Sequence, residues 1–227
     1  MSKQLHSAIS KILKMPYFKN ENARSGGAVF GHEDAVAVKI RDAGFTEIQK
    51  SSYPKLKKGL LSKWAETGDD TELRKATTGL AVGTFILQPA GSQGFPDVLV
   101  KDFNDRFVAV ECKSGQNGQN PMWNDNVPKP HTIYVLSSGV QDATTVFMGR
   151  DVITPEEQAL MDEQEEAIAK VVKEYNKKMA AIDKFNRGWT QKSRKQHFQG
   201  GGGTKTNYFT HPSRKLCEDN ALKYAND

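Results

Sequence analysis

Two short motifs in the middle of the chain carry side chains that can do chemistry. Pro96-Asp97 opens one apolar run, and Glu111-Cys112-Lys113 closes the next one, which begins at Phe107. Both runs are typical of β-strands. Two carboxylates and a lysine at the ends of neighbouring strands can hold a divalent metal ion beside an attacking water molecule. These residue types therefore favour hydrolysis of a phosphodiester bond.

Alternation along the second run predicts which side chains share a face. Glu111 and Lys113 are two residues apart, so a strand points both of them to the same side. The opposite face carries the apolar side chains Val108, Val110 and Cys112. A charged pair on an otherwise apolar strand needs an explanation, because uncompensated buried charge is costly. The alternative is that this face of the strand is simply exposed to solvent.

The turn at Asn104-Asp105 can join the two strands as a hairpin, which would bring Asp97 next to Glu111. Carboxylate oxygens suit Mg²⁺, and the backbone carbonyl of Cys112 can supply a further oxygen ligand. Lys113 would then orient or deprotonate the attacking water and offset phosphate charge. The sequence thus predicts a magnesium site at the end of a hairpin.

The segment from Gly94 to Asp97, together with Glu111-Cys112-Lys113, resembles the active-site signature of the PD-(D/E)XK nuclease superfamily. Within that superfamily the chain resembles a type II restriction endonuclease, over about residues 31–149. The resemblance implies that Asp97 and Glu111 are metal ligands and that Lys113 is the catalytic lysine. It also implies Mg²⁺, with Mn²⁺ as a substitute, and products with 5′-phosphate and 3′-hydroxyl ends.

Many members of this superfamily carry a glutamate on the helix before the sheet. Helix is predicted from about Gly31 to Ala43, where Val36, Ala37 and Ile40 share a face with Glu33. Glu33 is therefore the predicted fourth site residue. Its neighbour Asp34 is the alternative.

The order of predicted elements indicates an α/β fold with a central mixed β-sheet of about five strands flanked by helices. The predicted strands are 84–87, 97–101, 106–113, 132–137 and 144–148, separated by turn signals. We expect one nuclease domain over residues 1–227, with the catalytic core at about 28–150, a long helix at about 154–186 and a basic arm at about 187–227.

The long helix has a clear predicted start. Thr154-Pro155-Glu156-Glu157 places a threonine at the cap, a proline in the first turn and acids at the positive end of the helix dipole. The apolar stripe that follows predicts either a helix that covers the sheet or a dimer seam. The first of these is the favoured interpretation.

Two segments are candidates for contact with DNA. The loop that leaves the catalytic strand is rich in amides, which can pair with adenine in the major groove; its candidates are Ser114, Gln116, Asn117, Gln119, Asn120 and Asn124. Residues 186–216 hold seven basic residues and no acidic one, interleaved with aromatics. The phosphate-binding candidates of the arm are Lys192, Arg194, Lys195, Lys205, Arg214 and Lys215. A solvated basic tail is the alternative.

Composition agrees with a polar globular protein and excludes a disulfide scaffold. The chain has 227 residues, a net charge of +5 and two cysteines, and its mean hydropathy is −0.63. No apolar run approaches the length of a membrane span, and the N-terminus lacks the apolar core of a secretory signal. We expect a reducing cytoplasm and, from the family resemblance, a prokaryotic cell.

These observations predict a sequence-specific endonuclease that cuts double-stranded DNA as a two-fold homodimer. A restriction enzyme would be accompanied in its host by a cognate DNA methyltransferase. Two other hypotheses stay open. One is a structure-selective repair or recombination nuclease on the same scaffold, and the other is a non-catalytic basic DNA-binding module.

Overall fold

The structure, a computed structural model, describes residues 3–17, 31–92, 94–115, 120–121, 123–124, 127–192, 196–197, 199 and 206–227. The sequence predicted one domain, and the contacts divide the chain into two compact units. The first comprises Met1–Pro121, Lys129–Val152 and Gln199–Asp227. The second comprises Met122–Pro128 and Ile153–Phe198.

A mixed sheet of six strands forms the centre of the first unit, in the order β1-β2-β3-β4-β6-β7. A pair of two-residue strands, β5 and β8, belongs to the second unit. The strands are β1 (Thr46–Glu47), β2 (Thr84–Leu87), β3 (Val98–Lys101), β4 (Phe107–Gly115), β5 (Trp123–Asn124), β6 (Thr132–Ser138), β7 (Ala143–Met148) and β8 (Gln196–His197). The predicted mixed sheet of about five strands is confirmed, and β1 is the additional strand.

The central strand, β4, has partners on both sides. It pairs antiparallel with β3, so that Val98 lies opposite Val110. It pairs parallel with β6, so that Glu111 lies opposite Tyr134. Strands β2–β3 and β6–β7 are antiparallel, and β1–β2 are parallel. The strand that carries the predicted site therefore lies inside the sheet rather than at its edge.

Helices cover both faces of the sheet. The helices are α1 (Lys3–Ile12), α2 (His32–Arg41), α3 (Lys58–Thr67), α4 (Thr71–Ala76), α5 (Pro155–Ile182) and α6 (Arg214–Asn226). One core lies between the sheet and α1, α2 and α6, and it includes Val98 and Val110. A second core, which includes Leu99 and Ala109, packs against α3 and α4. Alternate residues of each strand thus enter opposite cores, as the period of two requires.

The long helix α5 begins as the sequence predicts. The Thr154 hydroxyl accepts a hydrogen bond from the Glu157 amide (3.2 Å), and the Glu157 carboxylate accepts one from the Thr154 amide (2.8 Å). Two otherwise unpaired amides are satisfied by this reciprocal cap. None of its 28 residues is buried within the described chain, and the helix belongs to the second unit. Its packing on the sheet stays a prediction.

The C-terminal segment differs from the predicted arm. Residues 214–226 form α6, which packs on β7 and α1 and buries Ala221 and Ala225. Tyr208 and Phe209, expected as interleaved DNA-binding aromatics, are buried. This part of the basic segment is consequently an element of the first unit rather than an arm.

None of the helices in the described ranges combines the length and the apolar character needed to cross a membrane.

Candidate active site

A buried aspartate shapes the hairpin between β3 and β4. Asp102 accepts hydrogen bonds from the amides of Asn104 (2.8 Å) and Arg106 (2.9 Å), and its carboxylate pairs with the Arg106 guanidinium at 2.8 Å. Its side chain is fully buried. The predicted turn is therefore closed by one carboxylate, and the register that follows brings Asp97 across from Glu111.

Two hydrogen bonds join Asp97 to β4 at the open end of this hairpin. The carboxylate oxygen Oδ2 of Asp97 accepts from the Cys112 amide at 2.7 Å. The carboxylate oxygen Oε2 of Glu111 accepts from the Asp97 amide at 3.2 Å. Each carboxylate thus continues the strand pairing in place of a main-chain carbonyl. The predicted proximity of Asp97 and Glu111 is confirmed.

Lys113 lies on the same face of β4 as Glu111, and the ammonium nitrogen Nζ is 2.7 Å from Oε1 of Glu111. Both side chains are largely buried. Val110 belongs to the core on the other face, and Cys112 packs against that core. The alternation predicted from the sequence is confirmed, and an ion pair compensates the charge on this face.

Glu33, the fourth predicted site residue, is linked to the site through Gln88, which no sequence pattern singled out. The side-chain amide of Gln88 donates to Oε2 of Glu33 at 2.8 Å, and the backbone amide of Gln88 donates to the Asp97 carbonyl at 2.6 Å. Gln88 has a φ of +46°, which is uncommon for a residue with a side chain. Asp34 instead accepts from the Gly31 amide at 2.7 Å and caps α2. Of the two candidates, Glu33 is the one that is linked to the site.

Negative charge accumulates around Asp97. Burial raises the pKa of its carboxyl to about 8, and the nearby carboxylates of Glu111 and Glu33 add to the increase. The Cys112 amide and the Lys113 ammonium oppose this pKa shift without cancelling it. Burial, reinforced by Asp97, also raises the pKa of the Cys112 thiol well above its usual range. Cys112 is therefore an inert core residue, and the site holds more negative charge than its lysine neutralises.

A divalent cation fits this excess of charge. The predicted ligands are all oxygens, which Mg²⁺ prefers: the carboxylates of Asp97 and Glu111 and the backbone carbonyl of Cys112. Among the residues that the structure describes, no three histidine, cysteine, aspartate or glutamate side chains are grouped closely enough to hold a metal ion by themselves. The carboxylates of the protein would thus supply only part of a coordination shell, as is common for Mg²⁺ with its retained waters.

The structure describes six of the twelve predicted DNA-contact residues. Ser114 is exposed on β4, directly after Lys113. The Asn120 side chain donates to the Gln199 carbonyl at 3.4 Å, and Asn124 is part of β5. Lys192 is exposed. Six candidates lie outside the described residues: Gln116, Asn117, Gln119, Arg194, Lys195 and Lys205.

The last two basic candidates are in α6, where both have intrachain partners. Arg214 pairs with Glu218 at 2.8 Å and donates to the Phe209 carbonyl at 3.1 Å. Lys215 pairs with Asp219 at 2.6 Å but stays three-quarters exposed. Arg214 thus has a structural role, whereas Lys215 keeps an accessible charge.

Comparison of the chain with protein-family models, with curated proteins and with solved structures finds no match.

Proposed function

We propose that this protein is a Mg²⁺-dependent endonuclease of the type II restriction kind, which cuts double-stranded DNA at a specific sequence. The observation that carries the proposal is the interlocked group of Asp97, Glu111 and Lys113. Two carboxylates joined through each other's strand amides and one lysine lie on adjacent strands. The raised pKa of Asp97 indicates that the group is suited to a cation.

In this proposal Asp97 and Glu111 hold the ion, together with the Cys112 carbonyl. When bound, Mg²⁺ supplies positive charge that stabilises the charge developing on the phosphate. Lys113, as an ammonium, exchanges its contact with Glu111 for the attacking water, which it orients, and the proton of that water passes to bulk solvent. Glu33, held by Gln88, contributes further negative charge at the rim of the site.

The bond changes are those of a single displacement at phosphorus. The water oxygen bonds to phosphorus as the bond from phosphorus to the 3′ oxygen breaks. The departing 3′ oxygen takes up a proton, and the phosphate stays on the 5′ end. The products are a 5′-phosphate and a 3′-hydroxyl.

Cutting both strands of a palindromic site is simplest for a two-fold homodimer with one active site per strand. We therefore include a second copy of the chain as a partner, along with double-stranded DNA. A prokaryotic cytoplasm with a cognate DNA methyltransferase is the expected setting, because an unprotected genome would be cut.

The test is digestion of a sequenced bacterial genome with purified protein and Mg²⁺, followed by sequencing of the fragment ends. We expect discrete fragments whose ends share one short sequence. Asp97→Asn and Lys113→Ala should each reduce the cleavage rate by at least about 10³-fold. Asp105→Asn and Lys75→Ala, which remove charges from exposed surface ion pairs, are the matched controls and should cut at the wild-type rate.

Other outcomes would replace the proposal. Cleavage confined to junctions, nicks or ends would indicate a repair or recombination nuclease on the same scaffold. DNA binding without cleavage in Mg²⁺ or Mn²⁺ would indicate a non-catalytic module. Undiminished cleavage by Asp97→Asn would refute the assigned site.

A further inference from the structure

The helix α5 carries a row of apolar side chains that are exposed in the described chain. Six large apolar side chains along it are between 43% and 70% exposed: Leu160, Ile168, Val171, Tyr175, Met179 and Ile182. Scattered exposed apolar residues are normal on protein surfaces, but a contiguous row marks an interaction site.

The six side chains form one row. At 3.6 residues per turn they fall within about 100° of the helix circumference. The helix has 28 residues, so it is about 42 Å long, and the row follows most of that length. Shallow grooves along this face are lined by four residues of the row, Leu160, Ile168, Val171 and Tyr175, and by their neighbour Ala167. The row is long enough for a second helix to lie along it.

Charge divides this helix into two halves of opposite sign. Residues 155–168 contain six acidic residues and no basic one. Residues 169–182 contain four lysines and one glutamate. The helix dipole favours acids in the first turn and bases in the last turn only. It does not explain the acids at 162–166 or the lysines at 170 and 173, which lie in middle turns.

We propose that α5 is a self-association helix, whose exposed row packs against the same row of a second copy in antiparallel orientation. Antiparallel packing places the acidic half of each helix against the basic half of its partner. Parallel packing would oppose acid to acid and base to base. A pair related by a two-fold axis is also self-complementary, so one surface serves both copies.

Val171 marks the centre of the pair. It lies midway between Leu160 and Ile182, so an axis at Val171 places Leu160 of each copy beside Ile182 of the other. All six apolar residues are then enclosed. The same register brings residues 163–165, which include two glutamates, opposite Lys177 and Lys178. This interface deepens the homodimer of the proposed function and rests on that part of it. It involves no residue of the candidate active site, so a monomeric protein that still cuts DNA would overturn the interface and leave the nuclease assignment standing.

Sedimentation equilibrium of the full chain without DNA or metal tests the association. We expect twice the chain mass of 25.2 kDa at micromolar concentration. Val171→Glu buries two charges at the centre and should raise the dimer Kd by at least about 10-fold. Ala159→Glu makes the same chemical change on an exposed position away from the row and should leave the mass unchanged. Circular dichroism should show both variants folded.

Cysteine cross-linking in a Cys217→Ser background tests the orientation. Leu160→Cys and Ile182→Cys proteins, mixed and oxidised, should form a disulfide between the two species, and neither should cross-link alone. A monomer at all concentrations would overturn the proposal and leave the row to a different partner. A dimer that resists Val171→Glu, or one that cross-links through Leu160→Cys alone, would overturn it equally.

Discussion

At the residue scale, the surroundings of Asp97 shift the pKa of its carboxyl in two opposite directions. As an acceptor for the Cys112 amide it is favoured as a carboxylate, whereas burial and the neighbouring Glu111 and Glu33 favour the neutral acid. Burial is the largest of these effects, so the acid form persists to about pH 8. In the metal-free protein at alkaline pH, the ionised Asp97 carboxylate is therefore buried and repelled by its neighbours. A bound cation would reduce this repulsion.

Asp97→Asn should stabilise the metal-free protein at alkaline pH. The carboxyl pKa is about 8 in the folded chain and about 4 when unfolded. Its stability contribution is therefore complete below pH 4 and is lost as pH rises through 8. The asparagine oxygen still accepts from Cys112. At pH 8.5 the free energy of unfolding should rise by about 1–3 kcal/mol, discounted for solvent screening, with no gain at pH 4. Urea titrations at the two pH values measure this.

Bound Mg²⁺ should make the wild-type protein, rather than Asp97→Asn, the more stable of the two at alkaline pH. Mg²⁺ binding needs the ionised carboxylate, so it should release a proton and tighten as pH rises toward 8. The wild-type melting temperature should then rise with Mg²⁺ concentration, while that of Asp97→Asn stays flat. An equal Mg²⁺ response in both proteins would show that the ion binds elsewhere.

Gln88→Leu tests the link between the sheet and Glu33. The substitution keeps the approximate volume but removes the amide that donates to Glu33. If Glu33 must be held for catalysis, Mg²⁺-dependent cleavage should slow about 10-fold and the pH–rate profile should shift. The melting temperature should change by only a few degrees. Gln141→Leu, a glutamine on the turn between β6 and β7, is the matched control and should preserve the rate.

At the element scale, the hairpin between β3 and β4 brings Asp97 across from Glu111, so the site depends on this hairpin. Asp102→Ala removes the acceptor of two turn amides and the partner of Arg106, and it leaves the arginine uncompensated. Breaking a buried pair of this kind costs about 3–5 kcal/mol. Thermal unfolding should show the loss, and Asp105→Asn on the same turn should cost less than about 1 kcal/mol. A small effect of Asp102→Ala would mean that the apolar strands alone set the register.

The same hairpin explains why sequence patterns predicted so much of the fold. Five strands were located to within about two residues, because each is an apolar run bounded by turn residues. The shared face of Glu111 and Lys113 followed from alternation, and the position of Asp97 beside Glu111 followed from the predicted turn. Thr154 likewise marked the start of α5, because a capping box is a local signal.

Long-range contacts account for what the patterns missed. Thr46–Glu47 is too short to show alternation, so β1 is visible only through its pairing with β2. Helix α6 fully buries only two residues, both alanines, and most of the others are polar or charged, which is why its sequence resembled an arm. Gln88 lies 55 residues from Glu33, and no local pattern connects them. The apolar row of α5 is exposed in the part of the chain that the structure describes, and its sequence pattern does not identify what would cover it.

At the scale of the whole molecule, the net charge of +5 should make DNA affinity depend on salt. Each phosphate contact contributes about −0.9 to the slope of log K against log salt concentration. Lys192→Ala should reduce the magnitude of that slope by about one and weaken binding to any sequence equally. Lys75→Ala, which removes a cation paired with Glu72, should leave the slope unchanged. Fluorescence anisotropy with Ca²⁺ in place of Mg²⁺ measures both.

The position of β4 has a further consequence for how the molecule can be observed. Strand β4 pairs with β3 over residues 107–110 and with β6 over residues 109–115, so most of its amide protons should exchange slowly with solvent. Cys112 is the exception, because its amide is held on one side by the Asp97 carboxylate rather than by a main-chain carbonyl. Its deuterium exchange rate and amide proton resonance therefore follow the protonation of a single side chain. The Cys112 amide should thus serve as a spectroscopic probe of the site.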